Sequence, residues 1–170
     1  MERFTNSLRS SVDHEDWYVA LAAALALPDI CGALITPKAG NRARYTAWFD
    51  AWMAHHYTFN LPGIGVHCML SGDECYQLRC SYLHAGQDDI AGRGARKILD
   101  RFKFVEPIPG SYIHGNQNGA TLQLQVDVFC YEMLNAVDNW ARNVAEDAEI
   151  QARMRELLKI HKLDPYNIAI

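Results

Sequence analysis

Positive charge is in short supply in this chain: 16 lysines and arginines stand against 20 aspartates and glutamates, for a formal net charge of −4. That deficit argues against a surface that binds nucleic acid nonspecifically along its whole length, because such binding is supplied by clustered Lys and Arg. No stretch matches a glycine-rich phosphate loop, a GK[ST] signature, a G-x-S-x-G elbow or an H-E-x-x-H helix, so the chemistries those motifs carry have no foothold here. Cysteine is odd in number, at Cys31, Cys68, Cys75, Cys80 and Cys130, without a repeated short spacing. That pattern reads as reduced thiols of the cytoplasm and not as a disulfide framework. The opening MERFTNSLRSSVDHEDW lacks the apolar core of a secretory signal. The apolar run from Tyr18 to Leu27 is too short to span a bilayer and is cut by Pro28 and Asp29, so a buried helix and no membrane association are expected. Low-complexity tracts and internal repeats are also missing.

What is present suits one core. With 170 residues and 49% hydrophobic content, a single domain over 1–170 is expected. The patterning is mainly helical. Asp13 is placed to cap a helix running to about Leu27, where Pro28 ends it. Asn41 is placed to cap the next, whose Tyr45, Trp48, Phe49, Trp52 and Met53 form an aromatic stripe at helical spacing, suited to core or to a dimer interface. Thr58 to Gly65, with Pro62, Gly63 and Gly65, reads as a loop. Between about 98 and 125 the period changes: Phe102 and Phe104 alternate with Arg101 and Lys103, and Leu122, Leu124 and Val126 alternate with glutamines. A small antiparallel β insertion is expected there, with His114 as an exposed loop residue beside the HGNQNG turn. From Val126 to Val144 a sustained 3–4 spacing marks a central bundle helix. A more charged helix from about Glu146 to His161 follows, and PYNIAI after it is an apolar tail.

The chemical lead lies in Ser71 to Gly86, SGDECYQLRCSYLHAG. Ser71 with Glu74 is a capping-box start, and Gly86 sits where a left-handed cap closes a helix. At about 100° per residue, Cys75, Leu78, Arg79, Tyr82 and Leu83 share one broad arc, with the arginine near its middle. A guanidinium among apolar neighbours needs a partner. His84 falls about 140° further round, on the same side as Cys80.

Arg79, the four residues CSYL, and then His84 resemble the motif of the HEPN superfamily: an arginine, four to six residues and a histidine near the end of a helix in an α-helical bundle. The context LRCSYLHAG is similar to the family pattern, although Cys80 stands where many members carry asparagine, aspartate or histidine. The resemblance implies a metal-independent endoribonuclease or RNA-binding protein without cofactor, working as a homodimer with two motifs facing one cleft. It further implies a toxin or phage-defence setting and a neutralising protein partner. Arg79 would hold the scissile phosphate and His84 would move protons, as a planar bidentate donor and a group titrating near neutrality suit those tasks. Tyr76, Cys80 and Tyr82 on the same helix, with Arg93 and Arg96 of the following GRGARK stretch, are the expected substrate contacts.

Two other readings stay open. An arginine on an apolar helix face also serves as a buried ion-pair partner, which would make the chain a noncatalytic helical interaction module. Cys80, His84, His67 and Cys68 are soft ligands that could gather around zinc, although their spacing matches no standard knuckle.

Overall fold

The computed structural model describes residues 1–63, 65–84 and 100–161, with backbone alone at His84. Six α-helices are described: α1 (Glu2–Asp13), α2 (Trp17–Ile35), α3 (Asn41–Trp52), α4 (Gly72–His84), α5 (Val126–Asn143) and α6 (Ala148–Arg155). Two small sheets complete a mainly helical fold. The first is a hairpin of β1 (Thr58–Leu61) and β2 (Gly65–Cys68); the second holds β3 (Phe102–Val105), β4 (Asn116–Asn118) and β5 (Thr121–Gln125).

The middle of the bundle is α2, which touches α1, α3, α4, α5 and α6. The helix at 126–143 lies beside it in the core, with Phe129, Met133, Val137 and Trp140 buried. One expectation is corrected: the alanine-rich helix, expected to end before Pro28, runs through Pro28 to Ile35 instead. A proline inside a helix removes one backbone bond and costs about 3 kcal/mol. Here Leu27, Pro28, Cys31, Gly32 and Leu34 are all buried, and that burial outweighs the defect. By length and composition α2, with mean hydropathy 1.9, is apolar enough to cross a membrane, and half of it is buried inside this bundle. Its start is Trp17 after Asp16, not Asp13, because a separate helix, α1, occupies residues 2–13 and buries Thr5, Leu8 and Val12.

Helix α3 begins at Asn41 behind Gly40 and makes no side-chain cap, so Asn41 is its first residue and not its cap. Most of its aromatic stripe is core: Tyr45, Trp48 and Phe49 are buried and Met53 follows them inside, whereas Trp52 is half-buried. Trp48 meets Trp140 of α5 edge to face at 6.5 Å, Phe49 stacks on Tyr57 at 6.3 Å, and Phe104 of β3 meets Phe129 of α5 at 5.5 Å. Cys31, Cys75 and Cys130 are buried unpaired thiols; burial pushes Cys75 and Cys130 up to about 12.

The segment read as a loop at 58–65 is half of a hairpin, with Thr58 opposite Cys68 and Leu61 opposite Gly65. Pro62 and Gly63, at φ 79°, supply its turn. The 98–125 insertion differs from a simple hairpin. β4 and β5 pair antiparallel across Gly119, as expected, but β3 lies parallel to β5, with Phe102 opposite Leu122 and Phe104 opposite Leu124. Leu122 and Leu124 point into the core, and β5 passes into α5 between Gln125 and Val126 with no intervening loop. The last helix is shorter than expected, Ala148–Arg155, fixed at its start by the Asp147 carboxylate accepting from the backbone of Glu149 and Ile150. Gly86, Lys97 and the PYNIAI tail lie outside the described residues.

Candidate functional site

The capping box expected from sequence sets the position of α4. The Ser71 backbone N–H donates to Glu74 Oε2 at 3.0 Å, and the Glu74 N–H donates back to Ser71 Oγ at 3.3 Å. Gly72 lets the start of α4 lie directly on α3: its N–H donates to Asp50 Oδ1 at 2.8 Å, and a Cβ there would stand 2.7 Å from the Thr46 carbonyl oxygen. From this anchor the helix buries Cys75, Leu78 and Ser81 and leaves Arg79 at the margin of the core.

Arg79 meets a carboxylate there. Its Nη2 lies 3.5 Å from Asp29 Oδ2, and the other oxygen of Asp29 accepts from Arg44 Nε at 2.8 Å. All three side chains are about four-fifths buried. Among the described residues, one carboxylate therefore serves two guanidinium groups, leaving one positive charge in excess. Arg44 takes the shorter contact. Arg79 has a long one, a 3.9 Å approach of Nη1 to Cys80 Sγ, and a buried Nε with no hydrogen-bond partner among the described residues. An arginine with unused donors in a half-dry site can accept an anion without first breaking a strong pair.

The other sequence-predicted residues are dispersed around this group. Tyr76 packs edge to face on Tyr45 at 5.4 Å and lines a shallow depression of about 840 Å³ between α3 and α4 together with Arg42 and Asp73. Arg42 grips Asp73 through two bonds of 2.6 and 2.8 Å, which hold that carboxyl below its usual range. Tyr82 turns away and donates to the Tyr18 carbonyl of α2 at 3.0 Å. Cys80 is half-buried beside Arg79. His84 is the last residue of α4, about 7.5 Å along the axis from Arg79, and its side chain is outside the described set. Arg93 and Arg96 also lie outside the described residues. Of the soft ligands, His67 is engaged by Gln117 at 3.4 Å, and among the described residues no group of three or more His, Cys, Asp or Glu is arranged to hold a metal.

A second constellation was not expected. His114, read as an exposed loop residue, has a side chain only 6% exposed, with Nε2 3.3 Å from Glu132 Oε2. Its Nδ1 accepts from the Gln125 backbone N–H at 3.2 Å, which assigns the neutral ring's proton to Nε2 and aims it at the carboxylate. The Tyr57 hydroxyl donates to the same Glu132 oxygen, and His56 Nδ1 lies 3.5 Å from the other. Burial alone would raise Glu132, but the hydrogen bonds from His114 and Tyr57 and the neighbouring imidazoles overcome it and hold the carboxyl below its ordinary value. Desolvation lowers His56, with Glu132 opposing, and burial followed by the Glu132 charge raises Tyr57.

These shifts fix the sign of the pH response. Glu132 and His56 both have lowered folded values, so the unfolded chain takes up protons first on acidification. The stability they confer is complete above about pH 6.5, the unfolded histidine value, and is lost first through His56 and then, below about pH 4.3, through Glu132. Glu132→Gln is expected to cost about 1–2 kcal/mol at neutral pH, because Tyr57 and His114 lose a charged acceptor. Melting temperatures of both proteins from pH 3 to pH 8 check this. The variant should show the shallower fall at the acid end, and parallel curves would refute the assignment.

No protein-family model matches this chain, and comparison with curated proteins and with solved structures gives no significant match.

Proposed function

We propose that the second half of α4 is the phosphate-contacting site of a HEPN-like, metal-independent endoribonuclease or RNA-binding protein, acting in the cytoplasm as a homodimer in a toxin or phage-defence setting. The observation that carries the reading is the pair of guanidinium groups on the single Asp29 carboxylate, which, among the described residues, leaves Arg79 with excess charge and unused donors. In this reading Arg79 binds the scissile phosphate. His84 takes the 2′-hydroxyl proton as the 2′-oxygen bonds to phosphorus, and the bond to the 5′-oxygen breaks as that oxygen gains a proton, leaving a cyclic phosphate. Tyr76, Cys80, Arg93 and Arg96 are the proposed substrate contacts, whereas Tyr82, expected among them, is directed to the Tyr18 carbonyl and is left out of the site.

The Asp29 contact also favours a second reading. An arginine held against a carboxylate near the core is what a noncatalytic helical interaction module would contain. Incubating varied RNAs with wild type, Arg79→Lys and His84→Ala in EDTA, with folding checked by circular dichroism, separates the two. Cleavage by wild type that is lost in both folded variants supports the nuclease. Absence of cleavage by wild type on every RNA supports the module.

A further inference from the structure

A groove of about 1180 Å³ runs between the start of α1, the corner after α3, the second half of α5 and α6. It is larger than the ~300–1,000 Å³ of pockets for drug-sized ligands, and it suits a length of chain better than a compact molecule. Its charge runs against that of the protein. Arg3, Arg142, Arg155 and Lys159 line it, against Glu2 and Asp138, and Asp138 is already engaged by Arg9 at 3.6 Å. In a chain of net charge −4, four cations facing one carboxylate without an ion-pair partner among the described residues is a local concentration of positive charge.

The groove also presents flat rings. Trp52, half-buried at the end of α3, lies in its wall with His55 and His56, whose rings approach to 4.0 Å. His56 is backed by Glu132 through Nδ1, and Glu132 is in turn held by Tyr57 and His114, so the ring is braced from the interior. Cations that follow a phosphate chain, with aromatic faces between them, are what single-stranded nucleic acid recognition requires.

We infer that this groove binds single-stranded RNA, with Arg3, Arg142, Arg155 and Lys159 on the phosphates and Trp52 and the His55–His56 pair beneath the bases. The site shares no residue with the α4 group and does not depend on cleavage there. Fluorescence anisotropy of labelled oligouridine tests it, with inorganic polyphosphate as a base-free competitor. Arg142→Glu combined with Arg155→Glu is expected to weaken binding by at least ~10-fold at low salt and to reduce the salt slope by about two. Trp52→Ala should weaken oligouridine while leaving polyphosphate unaffected. The groove variants are compared again in an Arg79→Ala background, where the loss on Arg142→Glu with Arg155→Glu should persist, so that failure of the α4 reading leaves this result unaltered. If the charge-reversed protein does not fold, Arg142→Gln with Arg155→Gln replaces it, with a smaller loss expected. Unchanged affinity in the folded groove variants, or a wild type that binds polyphosphate and not oligouridine, would overturn the inference.

Discussion

RNA cleavage in EDTA is expected to fall by about 100-fold or more in both Arg79→Lys and His84→Ala. The lysine variant is the sharper of the two. It keeps a cation opposite Asp29 while removing the planar fork that can serve Asp29 and a phosphate together. A side chain that only balanced the Asp29 charge would tolerate the exchange, since Arg44 already holds the nearer oxygen at 2.8 Å. A phosphate ligand would not tolerate it, because placed donors aimed at developing charge are each worth roughly 10²–10³ in rate. For His84 the expectation rests on proton transfer, which contributes typically 10²–10⁴-fold. A product ending in a 2′,3′-cyclic phosphate, released without divalent metal, would identify the reaction. Full activity in Arg79→Lys would remove Arg79 from the chemistry even if the protein proved to be a nuclease.

Gly32→Ala is expected to lower the free energy of unfolding by about 3 kcal/mol, the upper end of what overpacking costs. Helix propensity alone predicts the opposite sign, since alanine is better than glycine within a helix by about 1 kcal/mol. Contact decides it. A Cβ at Gly32 would stand 2.5 Å from the Arg44 carbonyl oxygen and 2.9 Å from its carbonyl carbon, and backbone atoms have no rotamer by which to give way. Relief must come from α2 and α3 moving apart. Asp29 lies one turn before Gly32, and its partner is Arg44 itself, so that movement also strains the carboxylate shared with Arg79. Urea unfolding monitored through the buried Trp48 and Trp140 measures the loss. A variant within ~0.5 kcal/mol of wild type would show that the helices are not held at this distance.

Much of the bundle can be read along the chain because its signals are local. The Ser71–Glu74 reciprocal cap, the buried stripe of α3 and the extent of α5 follow from residues three and four apart. Elements decided at a distance were harder to find. Nothing near Pro28 announces that α2 continues, because the reason lies in the helices packed around its second half. The parallel pairing of β3 with β5 joins residues twenty apart and has no turn signature of its own. Arg79 was legible as an arginine needing a partner, whereas Asp29 and Arg44 come from two other helices. Glu132 left a trace that could have been followed: on a helical wheel it lies about 60° from Phe129 and about 40° from Ala136, both buried, where an acid needs company. Its partners Tyr57 and His114 are 75 and 18 positions away, and no spacing rule connects them.

The direct passage from β5 into α5 restricts how this chain can vary in length. Gln125 is clamped at that passage, its N–H given to His114 and its side-chain oxygen accepting from Ile113 at 3.0 Å. One residue inserted between Leu124 and Phe129 would turn the rest of α5 by about 100° and carry Glu132 away from the ring that holds it. The same insertion beside Gly63, where a Cβ would meet open space, would only lengthen a hairpin turn. Homologous chains should therefore differ in length at residues 61–65 and keep a constant count from Thr121 to Glu132.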